Sequence, residues 1–271
     1  MRDVGELVRA TAGALGDLVL PRICAGCGVP GVLLCRGCVR EFTVPHLAQP
    51  RRFPAGFPPT VAAAVYAGPV RPAVNAFKEH GRAELARPLG AALALAVAAV
   101  RAGVPAAGAG TPVLLVPLPA TRAALRARGR DHVAELARAA VAELRSAGVP
   151  AEVARLLGRS GRVADSAGLS SVQRRENLAG SFAVRGGAVR RGVLLVLVDD
   201  VVTSGATLTE AAAALAGTSV DDTPVLAAVV AATPRRPPAG ASASHLRGRR
   251  SSGDRGPWRP ADRLSGPREG D

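Results

Sequence analysis

Aromatic residues and lysine are nearly absent from this 271-residue sequence. Only 3 % of the residues are aromatic, whereas 48 % are hydrophobic, so a buried core must be built mainly from alanine, valine and leucine. Lys78 is the only lysine among the 35 basic residues, a bias that we attribute to coding composition rather than to function. The hydrophobic content is ample for a globular protein of one large domain or two smaller ones.

Long apolar runs are missing as well. Asp3 and Glu6 lie where a secretory signal would be basic, and no apolar segment of sufficient length follows them. The most apolar window, residues 89–100, has 12 residues, short of the roughly 20 that a membrane-spanning helix needs. We therefore expect a cytoplasmic protein with no membrane span.

Acidic residues are too few to balance the basic ones, and the formal net charge is +14. Residues 234–271 contain nine arginines and four acids, which leaves a net charge of +9 on the rest of the chain. Such a balance favours an anionic partner, either a nucleotide, a nucleic acid or a membrane surface. A basic solvated surface explains the same charge equally well, and both interpretations stay open.

Four segments differ in composition and pattern. We predict an amphipathic helix over residues 1–20 and a module that contains all four cysteines over residues 21–45. From residue 60 to 233, apolar runs alternate with alanine-rich helical runs, which is typical of an α/β fold with a parallel sheet. The predicted strands are 61–66, 112–118, 193–199 and 224–232, and the predicted helices are 70–79, 82–102, 131–147 and 207–216. Residues 234–271, rich in Arg, Pro, Gly and Ser, are predicted to be a disordered tail in which Trp258 is incidental.

The four cysteines form two CxxC pairs in the stretch CAGCGVPGVLLCRGC. Each pair presents two thiolates from one tight turn, so two such turns facing each other complete a tetrahedral sulfur site for zinc. Two disulfides are the alternative, but a cytoplasm keeps thiols reduced. We therefore predict a structural zinc ion, in a small zinc-ribbon-like module, with four ligands: Cys24, Cys27, Cys35 and Cys38.

Asp199 and Asp200 follow the apolar run VLLVLV and precede a loop of small hydroxylic residues that opens a helix. Ligands of open α/β sheets collect beyond the carboxyl ends of the strands. The backbone N–H groups and the dipole at a helix N-terminus both favour a phosphate. A ligand with vicinal hydroxyls and a nearby phosphate, such as ribose 5-phosphate, matches both features.

The stretch from 193 to 207 closely resembles the phosphoribosyl-pyrophosphate (PRPP) signature of type I phosphoribosyltransferases. Further segments narrow the resemblance, over residues 18–233, to the ComF family, which joins a four-cysteine zinc module to a phosphoribosyltransferase domain. The first, YAGPVRPAVNAFKEHGR at 66–82, points to Lys78 and Arg82. The others are LLVPLPATRAALRARGRDHVAELA at 114–137 and LSSVQRRENLAGSF at 169–182, the latter through Arg174, Asn177, Gly180 and Phe182.

This resemblance implies a type I phosphoribosyltransferase fold that binds PRPP together with Mg²⁺. Asp199 and Asp200 would bind the ribose hydroxyls, directly or through Mg²⁺. The 5-phosphate would be bound by the loop residues Thr203, Ser204, Gly205, Ala206 and Thr207. The pyrophosphate would be held by a second loop and nearby cations: Pro117, Leu118, Pro119, Ala120, Arg122, Arg128 and Lys78. No catalytic side chain is expected, because positioning and electrostatics dominate this chemistry.

Departures from the family pattern concern Asp131 and His132, which replace the usual Asn-Gln, and Ser166, which replaces a common Gln. We interpret His132 as a surface or loop histidine. Thr203 stands where 6-oxopurine salvage enzymes have an aspartate, which argues against hypoxanthine or guanine as the acceptor.

Three functions remain open. The family resemblance implies a protein that handles single-stranded DNA in natural transformation, with DNA-uptake or recombination proteins as partners. The alternatives are a metabolic phosphoribosyltransferase that acts on a small acceptor, and a non-catalytic PRPP sensor or scaffold.

Overall fold

The computed structural model describes residues 22–50, 54–105, 107–108, 110–160, 180–186, 191–216 and 224–234. The predicted helix over 1–20 and all but the first residue of the predicted disordered tail lie outside these ranges. The described elements are, in chain order, α1 (Arg36–Arg40), β1 (His46–Leu47), β2 (Thr60–Val65), α2 (Val70–Lys78), a 3₁₀ turn (Ala83–Leu85), α3 (Ala86–Ala102), β3 (Val113–Pro117), α4 (Arg122–Arg128), α5 (His132–Ser146), β4 (Ala151–Val153), β5 (Leu157–Arg159), β6 (Phe182–Val184), β7 (Leu194–Val202), α6 (Ala206–Ala216) and β8 (Leu226–Ala232).

Six strands form the main sheet in the order β1-β2-β8-β7-β3-β4, and β5 pairs with β6 in a separate two-stranded sheet. Among the described strands of the main sheet, only β1 runs antiparallel to its neighbour, and the other four strand pairs are parallel. The prediction of an α/β fold with a mostly parallel sheet is therefore confirmed. The carboxyl ends of β2, β3, β7 and β8 all meet at one edge of the sheet, which is where a ligand site is expected.

The core lies on both faces of this sheet, because successive side chains of a strand point to opposite faces. In β7, Val196 and Val198 belong to the cluster formed with α2, α3 and α5. Leu195 and Leu197 belong to a second cluster, which includes the buried residues of α6. Strands buried on both faces read as continuous apolar runs, which explains why the sequence pattern located them.

Helix α3 is the central helix of the first cluster. Together with the 3₁₀ turn it forms a stretch, Ala83–Ala102, that is long and apolar enough to cross a membrane by length and composition alone. Half of its most apolar window is buried, however, and Leu89 and Leu93 are at most 1 % exposed. A Cβ atom at Gly90 would lie 2.3 Å from the Cβ of Ala139 in α5, so the two helices pack backbone to backbone. In this fold α3 is a core helix.

The cysteine-containing segment packs against the same core. Phe42 is 4 % exposed within the first cluster, and Ala25, Leu33 and Leu34 pack against that cluster. Arg82, which follows α2, donates a hydrogen bond of 3.0 Å from Nη1 to the carbonyl oxygen of Ile23. The N-terminal module is thus joined to the end of α2 by apolar packing and by a side-chain hydrogen bond.

Candidate functional site

A pocket of about 440 Å³ opens at the carboxyl edge of the sheet. Its walls come from the loop after β3, from the end of β7, from α2, from both ends of α4, from the first turns of α5 and α6, and from the end of β5. The amide of Leu118 donates to the carbonyl oxygen of Val198 over 3.0 Å, which brings the loop after β3 directly beside Asp199. The sheet therefore gathers segments that are distant in the sequence into one site.

Strand β7 carries both acidic residues within its paired length. The sequence predicted that the strand ends at Asp199, but it continues to Val202, because Asp199, Val201 and Val202 all pair with β8. The Oδ1 atom of Asp199 accepts a 2.9 Å hydrogen bond from the amide of Asp200. The Oδ1 atom of Asp200 accepts a 2.7 Å hydrogen bond from the amide of Val201. These bonds fix the direction of both carboxylates.

Asp200 is buried, with an exposed fraction of 2 %, and its Oδ2 atom lies within hydrogen-bond distance of two side chains. The Nζ atom of Lys78 lies at 2.9 Å and the Nε2 atom of His132 at 3.1 Å. Burial opposes ionisation of Asp200, but the hydrogen bond from His132 and the charge of Lys78 outweigh it and hold the pKa of Asp200 well below its usual range. Asp200 is therefore an ionised carboxylate whose partners belong to the protein.

Asp199 is in a different environment, although it is the adjacent residue. It lines the pocket and is partly exposed, with no ion pair to a basic side chain among the described residues. Burial and then the neighbouring Asp200 carboxylate raise the pKa of Asp199 above its usual range. Its Oδ2 atom has no hydrogen-bond partner among the described residues and is available to a hydroxyl group, and a cation bound in the pocket would favour the ionised form of the carboxyl group.

His132 is not the surface or loop histidine that the sequence predicted. It is the first residue of α5 and only 3 % exposed, and its ring makes an edge contact with Phe77, with the ring centroids 6.3 Å apart. Asp131 caps α5 by accepting a 3.1 Å hydrogen bond from the amide of Ala134. The cap turns the chain so that the following side chain points at Asp200. The buried position of this histidine could not be predicted from the local sequence, because its partner Asp200 lies 68 positions away.

The loop after β7 forms the turn into α6, as the sequence predicted. Thr203 and Thr207 line the pocket, and Ser204, Gly205 and Ala206 complete the turn between them. Because the first N–H groups of a helix have no partner within it, the amides at the start of α6 are donors for an anion.

The turn between β7 and α6 requires a glycine at position 205. Its φ angle is +79°, and an added Cβ atom would lie 2.8 Å from the ring of Phe57. A side chain at this position would therefore be strained and would also collide with an aromatic ring.

The predicted pyrophosphate loop follows β3. Pro117 is the last residue of the strand, and the next residues, Leu118, Pro119 and Ala120, line the pocket. Arg128 also lines the pocket and forms two hydrogen bonds, of 3.0 and 2.8 Å, with the carboxylate of Glu79. Arg122, by contrast, is exposed at the start of α4 and does not line the pocket. Of the two arginines proposed for this site, the structure brings only Arg128 to it.

Arg159 is a pocket residue that sequence analysis missed. Its Nε atom donates a 3.1 Å hydrogen bond to the carbonyl oxygen of Pro119, and its guanidinium carbon lies 4.4 Å from the centre of the Phe182 ring. Burial lowers its pKa, and the charge of Asp199 partly counteracts this. Phe182 was identified from the resemblance, and Gly180 lies in the turn before it. Arg174, Asn177 and Ser166 lie outside the described residues.

Tyr66 and Asn75 form a further part of the pocket wall that the sequence did not reveal as a pair. The hydroxyl of Tyr66 donates to Oδ1 of Asn75 over 2.7 Å and links the end of β2 to α2. Arg82, which the resemblance singled out beside Lys78, bonds to Glu84 and to the backbone of Ile23 and does not line the pocket.

The four cysteines form a cluster whose sulfur atoms all lie within 4.8 Å of one another, as predicted for a metal site. All four are free thiols, and the Sγ atoms of Cys27 and Cys35 are 3.6 Å apart, well beyond the S–S bond length of about 2.05 Å. The amide of Cys35 donates to Sγ of Cys24 over 3.3 Å. Burial would raise the pKa of Cys24, but this and other backbone hydrogen bonds outweigh it and lower that pKa to about 6. Such donors stabilise a thiolate, the form that binds a metal ion.

The two glycines of the CxxC turns differ in their surroundings. A Cβ atom at Gly26 would lie 2.7 Å from Sγ of Cys38 and 3.0 Å from the carbonyl oxygen of Pro69. At Gly37 the nearest atom would be Sγ of Cys35, at 3.9 Å. The cluster is therefore compact on the side of Gly26, where it touches the start of α2. Its composition and size fit a single four-coordinate ion such as zinc.

No protein-family model matches the chain, and no curated protein matches it either. The function must therefore be argued from the geometry of the site.

Proposed function

We propose that the pocket binds PRPP together with Mg²⁺, and that the protein is a phosphoribosyltransferase-like protein of the ComF type. The observation that carries this proposal is the placement of the carboxyl group of Asp199, which has no ion-pair partner among the described residues, shortly before the turn Thr203–Thr207 into α6, in a pocket whose described lining includes the cationic side chains of Lys78, Arg128 and Arg159. A ligand with hydroxyl groups and more than one phosphate matches this combination. The sequence resemblance to the type I phosphoribosyltransferase signature supports the same ligand.

Each part of PRPP has a matching group in the pocket. The amides at the start of α6, with Thr203 and Thr207, suit the 5-phosphate. The carboxylate of Asp199 suits the ribose hydroxyls. The loop after β3, together with Lys78 and Arg128, suits the pyrophosphate, with Mg²⁺ held mainly by ligand oxygens.

In phosphoribosyl transfer, pyrophosphate leaves from C1 of the ribose and an acceptor captures the cationic sugar. The protein would contribute by holding the ribose, neutralising the leaving group and excluding water. The four cysteines would hold a structural zinc ion, because four thiolates leave no coordination position for water or substrate.

Calorimetric titration of PRPP in the presence of Mg²⁺ tests the binding. The wild-type protein should bind, and the double variant Asp199→Asn, Asp200→Asn should lose the interaction. A charge-assisted hydrogen bond contributes about 1.5–3 kcal/mol, so each lost contact should weaken binding about 10- to 150-fold. Circular dichroism of the variant provides the control for folding. Unchanged affinity in a folded double variant would contradict the assignment.

Pyrophosphate release decides whether transfer is catalysed. The protein is incubated with PRPP, Mg²⁺ and a panel of bases and small acceptors, and the Asp199→Asn variant serves as the blank. Release that depends on one acceptor would identify a metabolic enzyme. Binding of PRPP without release of pyrophosphate in any mixture would favour a sensor, or a protein that couples PRPP binding to another partner.

Handling of single-stranded DNA is the second candidate, and helix α4 favours it. This helix has no buried residue, begins at the end of the pocket loop and exposes Arg122 and Arg126. If both contact phosphates, replacing them with serine should reduce the slope of log K against log salt by about 1.4, since each contact contributes about 0.7. Arg138, an exposed arginine of α5, provides the matched control. Equal slopes for the wild type and the α4 variant would argue against this interface.

A further inference from the structure

The two adjacent acids of β7 have different partners. Asp200 has both carboxylate oxygens bonded to protein groups: Oδ1 to the amide of Val201, and Oδ2 to Lys78 and His132. Its side chain is 3 % exposed. A ligand hydroxyl could reach it only by displacing a charged partner at 2.9 Å. Asp199 has one oxygen bonded to a neighbouring amide and lines the pocket.

Lys78 is the group that Asp200 holds in place. It is the last residue of α2, its side chain is 27 % exposed, and it lines the pocket. Because a lysine side chain has many rotamers, an ammonium group at a helix end stays in one position only when it has a fixed counter-ion. Asp200 is that counter-ion.

His132 fixes Asp200 in turn. An ionised carboxylate only accepts hydrogen bonds, so Nε2 of His132 carries the proton of this bond. His132 is 3 % exposed, and its ring packs on the ring of Phe77. The guanidinium carbon of Arg130 lies 4.2 Å from the centre of the same Phe77 ring. Arg130 is itself paired with Glu135. The histidine is thus held by packing and cannot follow a moving carboxylate.

We propose that His132 and Asp200 are positioning residues that hold the ammonium group of Lys78 in the pocket wall to receive an oxyanion, whereas Asp199 alone contacts the ligand hydroxyls. The binding of ligand groups by Asp199 and Lys78 rests on the proposed function. The position of the Lys78 ammonium group does not, since it is set by contacts within the protein.

Lys78 is the only lysine of the chain, so its environment can be measured without any ligand. Acylation by limiting acetic anhydride, followed by peptide mass spectrometry, reports the reactivity of this single ε-amine. In His132→Leu and Asp200→Asn we expect faster acylation than in the wild type, because only the free amine reacts and an ammonium group that is no longer held against its counter-ion loses its proton more readily. His132→Gln keeps an N–H donor and should stay close to the wild-type rate. Asp199→Asn is the control at the adjacent carboxylate and should change the rate less.

Thermal melts establish which variants fold, and if Asp200→Asn does not, the comparison of His132→Leu with His132→Gln carries the test. Equal acylation rates in the wild type and His132→Leu would overturn the role of His132. A fast rate in His132→Gln as well would show that the hydrogen bond is not what matters, and would also overturn it.

The assignments of ligand groups are tested with one single probe and one pair of probes. Inorganic pyrophosphate reports the oxyanion site, and the ratio of affinities for ribose 5-phosphate and 2-deoxyribose 5-phosphate reports the hydroxyl site. His132→Leu should weaken pyrophosphate binding and keep the ratio, whereas Asp199→Asn should bring the ratio close to one. If His132→Leu instead brought the ratio of the two sugar phosphate affinities close to one and left the pyrophosphate affinity unchanged, the separate roles of His132 and Asp199 would be overturned. If the wild type binds none of these probes, the proposed function and the assignments of ligand groups both fail, and the acylation result still decides the role of Lys78.

Discussion

Gly205 is the position where one added methyl group should disturb the candidate site most directly. A residue other than glycine at its φ angle of +79° costs about 1–2 kcal/mol. The new Cβ atom would also lie 2.8 Å from the ring of Phe57, and overpacking of this kind costs about 1–3 kcal/mol. We therefore expect Gly205→Ala to lower the free energy of unfolding by about 2–5 kcal/mol in total.

Gly129 provides a matched control, because the two costs can be separated there. It ends α4 with a φ angle of +66°, and an added Cβ atom would have no neighbour within 4 Å. Gly129→Ala should therefore cost only about 1–2 kcal/mol. The difference between the two variants isolates the crowding around the new Cβ atom, which would lie 2.8 Å from the ring of Phe57 and 3.1 Å from Cγ of Pro50.

Urea denaturation of both variants, of Phe57→Leu and of Gly205→Ala combined with Phe57→Leu measures these two costs and the coupling between positions 205 and 57. The second substitution should recover part of the loss in the Gly205 background, because the smaller side chain leaves room for the methyl group. Equal destabilisation by Gly205→Ala and Gly129→Ala, or no coupling between positions 205 and 57, would refute the close packing behind the turn into α6.

Three further predictions concern the metal, the acid pair and the tail. The purified protein should carry one zinc ion per chain, and Gly26→Ala should weaken zinc binding while Gly37→Ala should not; a stoichiometry near zero under reducing conditions, without chelator, would contradict this. Because the pKa of Asp199 is raised in the folded state, the folded protein binds more protons than the unfolded chain above about pH 4, so stability should fall as pH rises toward that raised pKa. Urea melts between about pH 5 and 8 should show this slope, and Asp199→Asn should flatten it. Truncation after Thr233 should leave the melting temperature and PRPP affinity unchanged, since β8 ends at Ala232; a drop of more than a few degrees would show that the tail packs on the domain.

The long elements of the fold could be predicted from the sequence because their patterns are local. The strand predicted at 112–118 is observed as Val113–Pro117, and the helix predicted at 131–147 as His132–Ser146. The short strands β4, β5 and β6 were not predicted. Each has three residues, too few to show a period, and each forms only because a distant partner is in place.

The candidate site was predictable to the extent that its residues are consecutive. The acid pair, the small-residue loop and the two CxxC turns are local patterns with a physical reason for each residue. The partners of Asp200 are not local, since Lys78 and His132 reach it from two other helices. Arg159 was equally hidden, because only the pairing of β5 with β6 places its side chain over the ring of Phe182.

A crystal structure of the protein with ribose 5-phosphate tests the central claim most directly. The account predicts the phosphate at the backbone amides of the turn between Thr203 and Thr207, with the ribose hydroxyls at the carboxylate of Asp199 and with Lys78 still paired to Asp200. A sugar phosphate bound elsewhere on the protein, or bound in this pocket with its phosphate away from the start of α6, would contradict it.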